Sequence, residues 1–279
     1  GDGGGDRFAL RAAAASRFGQ CGMMKSRLAT PLVFGFLLLL LMGGLWRIDA
    51  SPERIINGLT KLGWLVALMW PPSPGGVLPK LLMSLLESLA MAFLGTVLAV
   101  VVALPLALLG AGNVIGNVLL RFSVRRLYDG LRGIDTLIWA LTFVAAVGMG
   151  PFAGILALAV PDIGTLSKLF SEALESADRR QVEAVRAAGA NRVLAVRLGL
   201  IPQVAPVMLS QILYTLESNA RSSTVLGIVG AGGIGLSLAD RIRINNWDEV
   251  AFIVLLILAM VAAIDFVSRR LRLKIIRAT

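Results

Sequence analysis

The chain has 279 residues, 57% of them hydrophobic and only 16% charged, with a formal net charge of +10. Its mean hydropathy of +0.80 is above that of an ordinary soluble domain and points to a membrane protein. A single cysteine, Cys21, and no histidine exclude an internal disulfide, a Cys/His metal site and a Ser-His-Asp triad.

Residues 1–29 read as a tail ahead of the folded part. Gly1 to Gly5 are glycine-rich, and Arg7 to Arg17 alternate alanine with arginine. Two readings stay open for it: a disordered cytoplasmic tail, or a targeting presequence in which acids are scarce and Arg recurs. Six apolar runs of spanning length follow: Pro31–Trp46, Ser84–Leu109, Leu131–Met149, Pro151–Leu169, Ala195–Leu216 and Val250–Val267. The first reads as a signal anchor. Alternation at period two is absent, so the expectation is an all-α membrane fold with six transmembrane helices. Between the first two runs, Ile55, Ile56, Leu59, Leu62 and Leu65 recur at helical spacing in Pro52–Trp70. This predicts an amphipathic helix at the outer interface, closed by Pro71-Pro72-Ser73-Pro74. The domain reading is a tail over 1–29, a first span with the outer helix over 30–79, and the main transmembrane domain over 80–279.

Charge fixes the expected orientation. Segments 1–29, 111–132, 168–200 and 268–279 carry 5, 4, 6 and 5 Lys or Arg, whereas 47–80 and 219–247 carry 4 and 3. Positive charge is retained on the cytoplasmic side, so both termini are expected inside. The same scatter over four loops argues against a nucleic-acid patch.

The third inner segment reads Gln181-Val182-Glu183-Ala184-Val185-Arg186-Ala187-Ala188-Gly189-Ala190-Asn191-Arg192 and runs on to Ile201-Pro202. Glu183, Arg186 and Ala187 share a helical face. Ala184, Ala187 and Ala188 make a smooth face that another protein can approach closely. Gly189 suits a left-handed turn at the helix end. Glu183-Ala184, with Gly189 six residues after the Glu and Pro202 thirteen after the Gly, resembles the EAA loop of binding-protein-dependent importer permeases. Two positions depart from that pattern: Val185 replaces the second Ala, and Gly199 stands where the family often has Ile.

A second stretch narrows the resemblance. Glu217-Ser218-Asn219-Ala220-Arg221-Ser222-Ser223-Thr224-Val225-Leu226-Gly227, continuing to Gly235, is similar to the phosphonate-type (PhnE-like) permeases of the MetI-like group. So are Val147 to Gly154 and Leu166 to Ala173. The likeness runs from about residue 80 to the C-terminus. It implies a type I ABC importer, with the Glu183–Gly189 helix as the element that couples to an ATPase. It also implies a homodimer of this chain, two ATP-binding subunits, and a periplasmic or lipid-anchored binding protein. ATP and Mg would sit on the partner, with no cofactor in this chain. The family also contains phosphite, hypophosphite and phosphate-ester importers.

Gly230 to Gly235 formally fits G-x-G-x-x-G, but no strand precedes it and no G-K-[S/T] follows, so a nucleotide site is not expected. The better reading is a re-entrant or outer segment whose glycines let backbones pack tightly. Arg221 is the leading candidate for the translocated anion, because a guanidinium forks hydrogen bonds to an oxyanion and the hydroxyls of Ser222, Ser223 and Thr224 lie beside it. Ser218 and Asn219 complete the polar set. The competing role for Arg221 is an ion pair with Glu217, four residues earlier. Asp162 follows Pro161 within the fourth run, where it either faces the cavity or accepts a freed backbone donor; Asp265 sits near the end of the last. An ion-driven secondary transporter predicts internal repeats and mid-span acids. No repeat is evident, and the acids are read mostly into loops. A lipid-acting enzyme would need a convergent acid, base or nucleophile.

Overall fold

The computed structural model describes residues 31, 33–47 and 51–277, and every regular element among them is helical. The chain divides after Val66 into two compact units. The first holds α1 (Val33–Arg47) and most of α2 (Pro52–Leu68). In α2 the residues Ile55, Ile56, Leu59 and Leu62 are all exposed, as expected of a helix whose apolar stripe meets lipid rather than protein. The expected tail lies outside the described residues.

The second unit is built around α3 (Leu78–Gly110), α6 (Pro151–Ser176) and α9 (Ile201–Leu226). Small residues at the α3 interface let the helices close up. Ala99, Ala103, Ala107 and Ala111 pack on Leu166, Phe170, Leu174 and Val204. Without a hydrophobic drive between helices in lipid, such close van der Waals contact holds the bundle together. Gly95 is one of the close approaches: a Cβ there would lie 3.0 Å from Leu158 Cβ.

The two ends of this unit are fixed by hydrogen bonds. At one end Gly112 N–H donates to Glu175 at 2.7 Å, Arg125 pairs with the same carboxylate at 2.6 Å, and Asp178 N–H donates to Gln203 at 3.0 Å. The ends of α3 and α6 and the start of α9 therefore lie together. At the other end Ser73 N–H donates to the Asp248 carbonyl, joining the approach to α3 with the start of α11 (Trp247–Arg277).

Among the described residues, four helical stretches are long and apolar enough to cross a membrane: Leu78–Gly110, Pro151–Ser176, Val193–Ala231 and Trp247–Lys274. Two expected runs are corrected. The uninterrupted helix over Leu131–Met149 is instead α4 (Val118–Arg132) and α5 (Thr136–Val147), meeting at 85°. Asp135 caps α5 by accepting from Leu137 N–H at 2.8 Å, which starts a new helix where hydropathy alone ran through. If α4 and α5 cross together, they make a fifth span. The fifth run does not stop at Leu216 but continues through Ala231. Its polar residues stay helical because they are satisfied by neighbouring helices and by their own carbonyls.

Candidate translocation path and coupling surface

The helix expected to couple is α7 (Arg179–Ala187), started by Asp178, whose carboxylate accepts from Arg180 N–H at 2.9 Å. Val182 packs inward onto the apolar cluster around Leu200 and Val204. Gly199 makes that docking possible, since a Cβ there would lie 3.0 Å from Val182 Cα. A larger residue there, as in the resembled pattern, would press on the α7 backbone. Glu183, Ala184, Arg186 and Ala187 are all exposed on the outer side. Gly189 closes the helix at φ +90°, donating to the Arg186 carbonyl at 2.9 Å. Beside α7 a cavity of about 290 Å³ is lined in part by Gly112, Asn113, Glu183 and Arg186. The segment leading to α9, α8 (Arg192–Ala195) and a π-helical turn over Val196–Leu200, ties α7 to the base of that span.

Higher on α9 the expected polar residues separate onto different faces. Asn219 is buried, and its amide donates to Thr96 Oγ1 at 3.0 Å and to Asp162 at 2.6 Å. One side chain thus ties α9 to α3 and α6. Thr96 stands 18 residues into α3, about 27 Å along its axis, with about 21 Å remaining to Gly110. Asn219 is therefore near the middle of the bundle. Glu217 and Arg221 flank it, four residues apart, on a common face.

Arg221 does not follow the span, as the sequence suggested, but lies within it. Its Nη1 pairs with Glu217 Oε1 at 2.9 Å. The other oxygen of Glu217 pairs with Arg272 Nη2 of α11 at 3.0 Å. Glu217 is shielded, with 12% of its side chain exposed, whereas Arg221 is 47% exposed. Two guanidiniums on one carboxylate leave an excess positive charge between α9 and α11. Ser218 and Ser222 are half-buried. The Ser223 hydroxyl donates to the Ala220 carbonyl and that of Thr224 to the Arg221 carbonyl, so their protons are spent on their own helix.

Beyond α9 a second π-helical turn, Gly227–Ala231, leads into α10 (Gly233–Arg243). Gly230 turns at φ +96°, and its carbonyl accepts from Gly150 N–H. The N-terminus of α10 is held by α3: Glu87 accepts from Gly233 N–H at 3.1 Å, and Ser88 from Ile234 N–H at 2.9 Å. The carboxylate also meets the positive end of the helix dipole. The glycine stretch is thus a close-packed turn, as read from composition, and not a phosphate cradle.

The profile of the binding-protein-dependent transport system inner membrane component matches residues 103–278. The chain belongs to this family. A phosphite transport system permease protein of Stutzerimonas stutzeri, PtxC, is 40% identical over 242 residues, 86% of this chain and 86% of that one. The phosphate-import permease protein PhnE of Mycolicibacterium smegmatis is 35% identical over 227 residues, 81% of this chain and 42% of that one. Among solved structures, the inward-facing MetNI methionine ABC transporter superposes with a TM-score of 0.64 at 26% identity, over 73% of this chain and 99% of that chain. This family member is a multi-pass membrane protein and an ABC transport permease subunit of the PhnE-like, MetI type.

Sequence reasoning missed several functional-site contacts. Arg272, Thr96, Glu87 and Ser88 all act across more than fifty residues of chain, and no local spacing signals them. Glu217, expected just beyond the fifth run, sits instead inside α9, while Glu87 and Asp162 lie within the runs that contained them.

Proposed function

We propose that this permease passes a phosphorus oxyanion, of the phosphonate or phosphite class, through a path lined by the Glu217–Thr224 face of α9. The observation that carries this reading is the half-exposed Arg221 guanidinium within a spanning helix, ten residues before its end. An ionisable group at that depth is expensive unless it serves the passage of a charge. Its forked donors match two oxygens of a phosphonate or phosphite. The phosphite and phosphate cargoes named for the relatives support the same class.

Two copies of the chain form the path, with both termini cytoplasmic. Two ATP-binding subunits carry ATP and Mg and dock on the exposed Glu183, Ala184, Arg186 and Ala187 of α7. A periplasmic or lipid-anchored binding protein delivers the oxyanion. Closure of the ATPases moves α7, and its docking through Val182 and Gly199 transmits that motion to the base of α9. The path then changes between inward-open and outward-open states, and ATP shifts which is populated.

The test is co-purification of this chain with the ATPase and an ATPase assay with the binding protein and methylphosphonate or phosphite. Stimulation by binding protein plus oxyanion is expected. Glu183→Lys and Gly189→Asp should each abolish stimulation and uptake while membrane insertion is normal. Wild-type uptake by either variant would remove α7 from the coupling role.

A further inference from the structure

We propose that Glu217 is a resident counter-ion: it holds Arg221 and Arg272 between transport events and yields Arg221 to the passing oxyanion. The inference rests on the reading of Arg221 as a cargo contact. Three observations carry it.

First, the donors outnumber the acceptors. Each guanidinium offers five N–H donors. Glu217 gives one oxygen to each arginine, and the Nε of Arg272 is buried with no hydrogen-bond partner among the described residues. The cluster is built to accept a further anion.

Second, its charge is unbalanced. Two cations on one carboxylate leave one positive charge in excess inside the bundle, where uncompensated charge is disfavoured. A monoanionic phosphite or phosphonate would balance it.

Third, the two arginines differ in access. Arg221 is 47% exposed and Arg272 29% exposed. Arg221 and Glu217 share α9, whereas Arg272 belongs to α11. If the cargo takes Arg221, Glu217 keeps Arg272, and the tie between α9 and α11 survives passage. If it took Arg272 instead, that tie would break.

The exchange replaces a carboxylate by an oxyanion of similar fork geometry on the same guanidinium. Cargo affinity is then a difference between two comparable contacts. It stays weak, and the cargo can leave. Without the carboxylate the same arginines would hold the oxyanion as a sink.

The test uses the permease–ATPase complex, with phosphite as the probe. Phosphite binding to the detergent-purified complex is measured by calorimetry without the binding protein, and uptake is measured in liposomes with it. Glu217→Gln should bind phosphite about tenfold tighter, the order expected for freeing a close charge contact, and should transport it about tenfold more slowly. The double variant Glu217→Gln with Arg272→Gln restores the net charge and should return affinity close to wild type. Unchanged phosphite affinity in Glu217→Gln, or loss of assembly with no gain in affinity, would overturn the proposal. Arg221→Gln separates the two levels of the argument. Should it transport phosphite normally, the cargo contact itself fails. Should it lose transport while Glu217→Gln binds no tighter, only the counter-ion role fails.

Discussion

At the scale of single residues, Asn219 organises the centre of the bundle. Its amide joins Thr96 and Asp162, residues of two other helices. Asn219→Leu would keep the volume, take this donor from Asp162 and leave the Thr96 hydroxyl only its bond to the Ala92 carbonyl. Interhelical hydrogen bonds in membranes contribute about 1 kcal/mol, because the unfolded chain also finds partners. The expected result is a loss of that order in a denaturant titration followed by circular dichroism, with uptake reduced as α9 loosens from α3. An unchanged midpoint would make the contact incidental. The sequence placed Asn219 with Arg221 in one polar set, and adjacency made that natural. Two positions apart on a helix are about 200° apart, however, so one faces the bundle and the other the open side. The helix had to be known to continue past Leu216 before that could be read. The Glu217–Arg221 pair was legible because four-residue spacing is local, and Arg272 was not because its contact crosses 55 residues.

At the scale of elements, the crossing of α9 and α10 depends on absent side chains. A Cβ on Gly227 would lie 2.6 Å from both the Gly232 carbonyl oxygen and Gly235 Cα. Gly227→Val must therefore push α10 away from the end of α9. Overpacking of this kind costs about 1–3 kcal/mol. It should also weaken the seat of Gly233 and Ile234 on Glu87 and Ser88. Uptake is expected to fall severalfold, with faster proteolysis around Gly230–Gly235 as the direct readout. Proteolysis and uptake at wild-type rates would show that the crossing tolerates separation. Composition had marked this stretch as tightly packed glycine backbone, which is what it is. Its position was misjudged, because a hydropathy window ends a span where polar residues begin, and here those residues are buried against other helices. The α4–α5 break was misread for the opposite reason. The apolar residues that follow Asp135 carried the window back to Leu131, so it averaged over a capping aspartate that itself announces a helix start.

At the scale of the whole molecule, orientation follows from parity. The ends of α3 and α6, the start of α9 and the docked face of α7 lie at one end of the second unit, and the starts of α3 and α11 at the other. Alternating crossings satisfy this arrangement when α4 and α5 together cross once. The basic cluster Arg269, Arg270, Arg272 and Lys274 closes α11, and the proposed orientation puts that end in the cytoplasm. Under the proposed function, Glu183 and its neighbours would face an ATPase from inside, and the α10–α11 turn a binding protein from outside. Cysteine labelling checks both assignments, because Cys21→Ser removes the chain's one thiol. In that background Ala187→Cys and Ile244→Cys place single thiols at exposed positions on α7 and after α10. A membrane-impermeant maleimide should label Ile244→Cys in intact spheroplasts and leave Ala187→Cys untouched. In inside-out vesicles washed free of the ATPase the pattern should reverse, and re-added ATPase should protect Ala187→Cys. The opposite pattern would invert the chain and leave α7 no cytoplasmic partner. Labelling of both thiols from one side would mean that α9 does not cross. Protection by the ATPase ties this orientation to function, because only a cytoplasmic α7 can pass the ATPase motion to the base of α9.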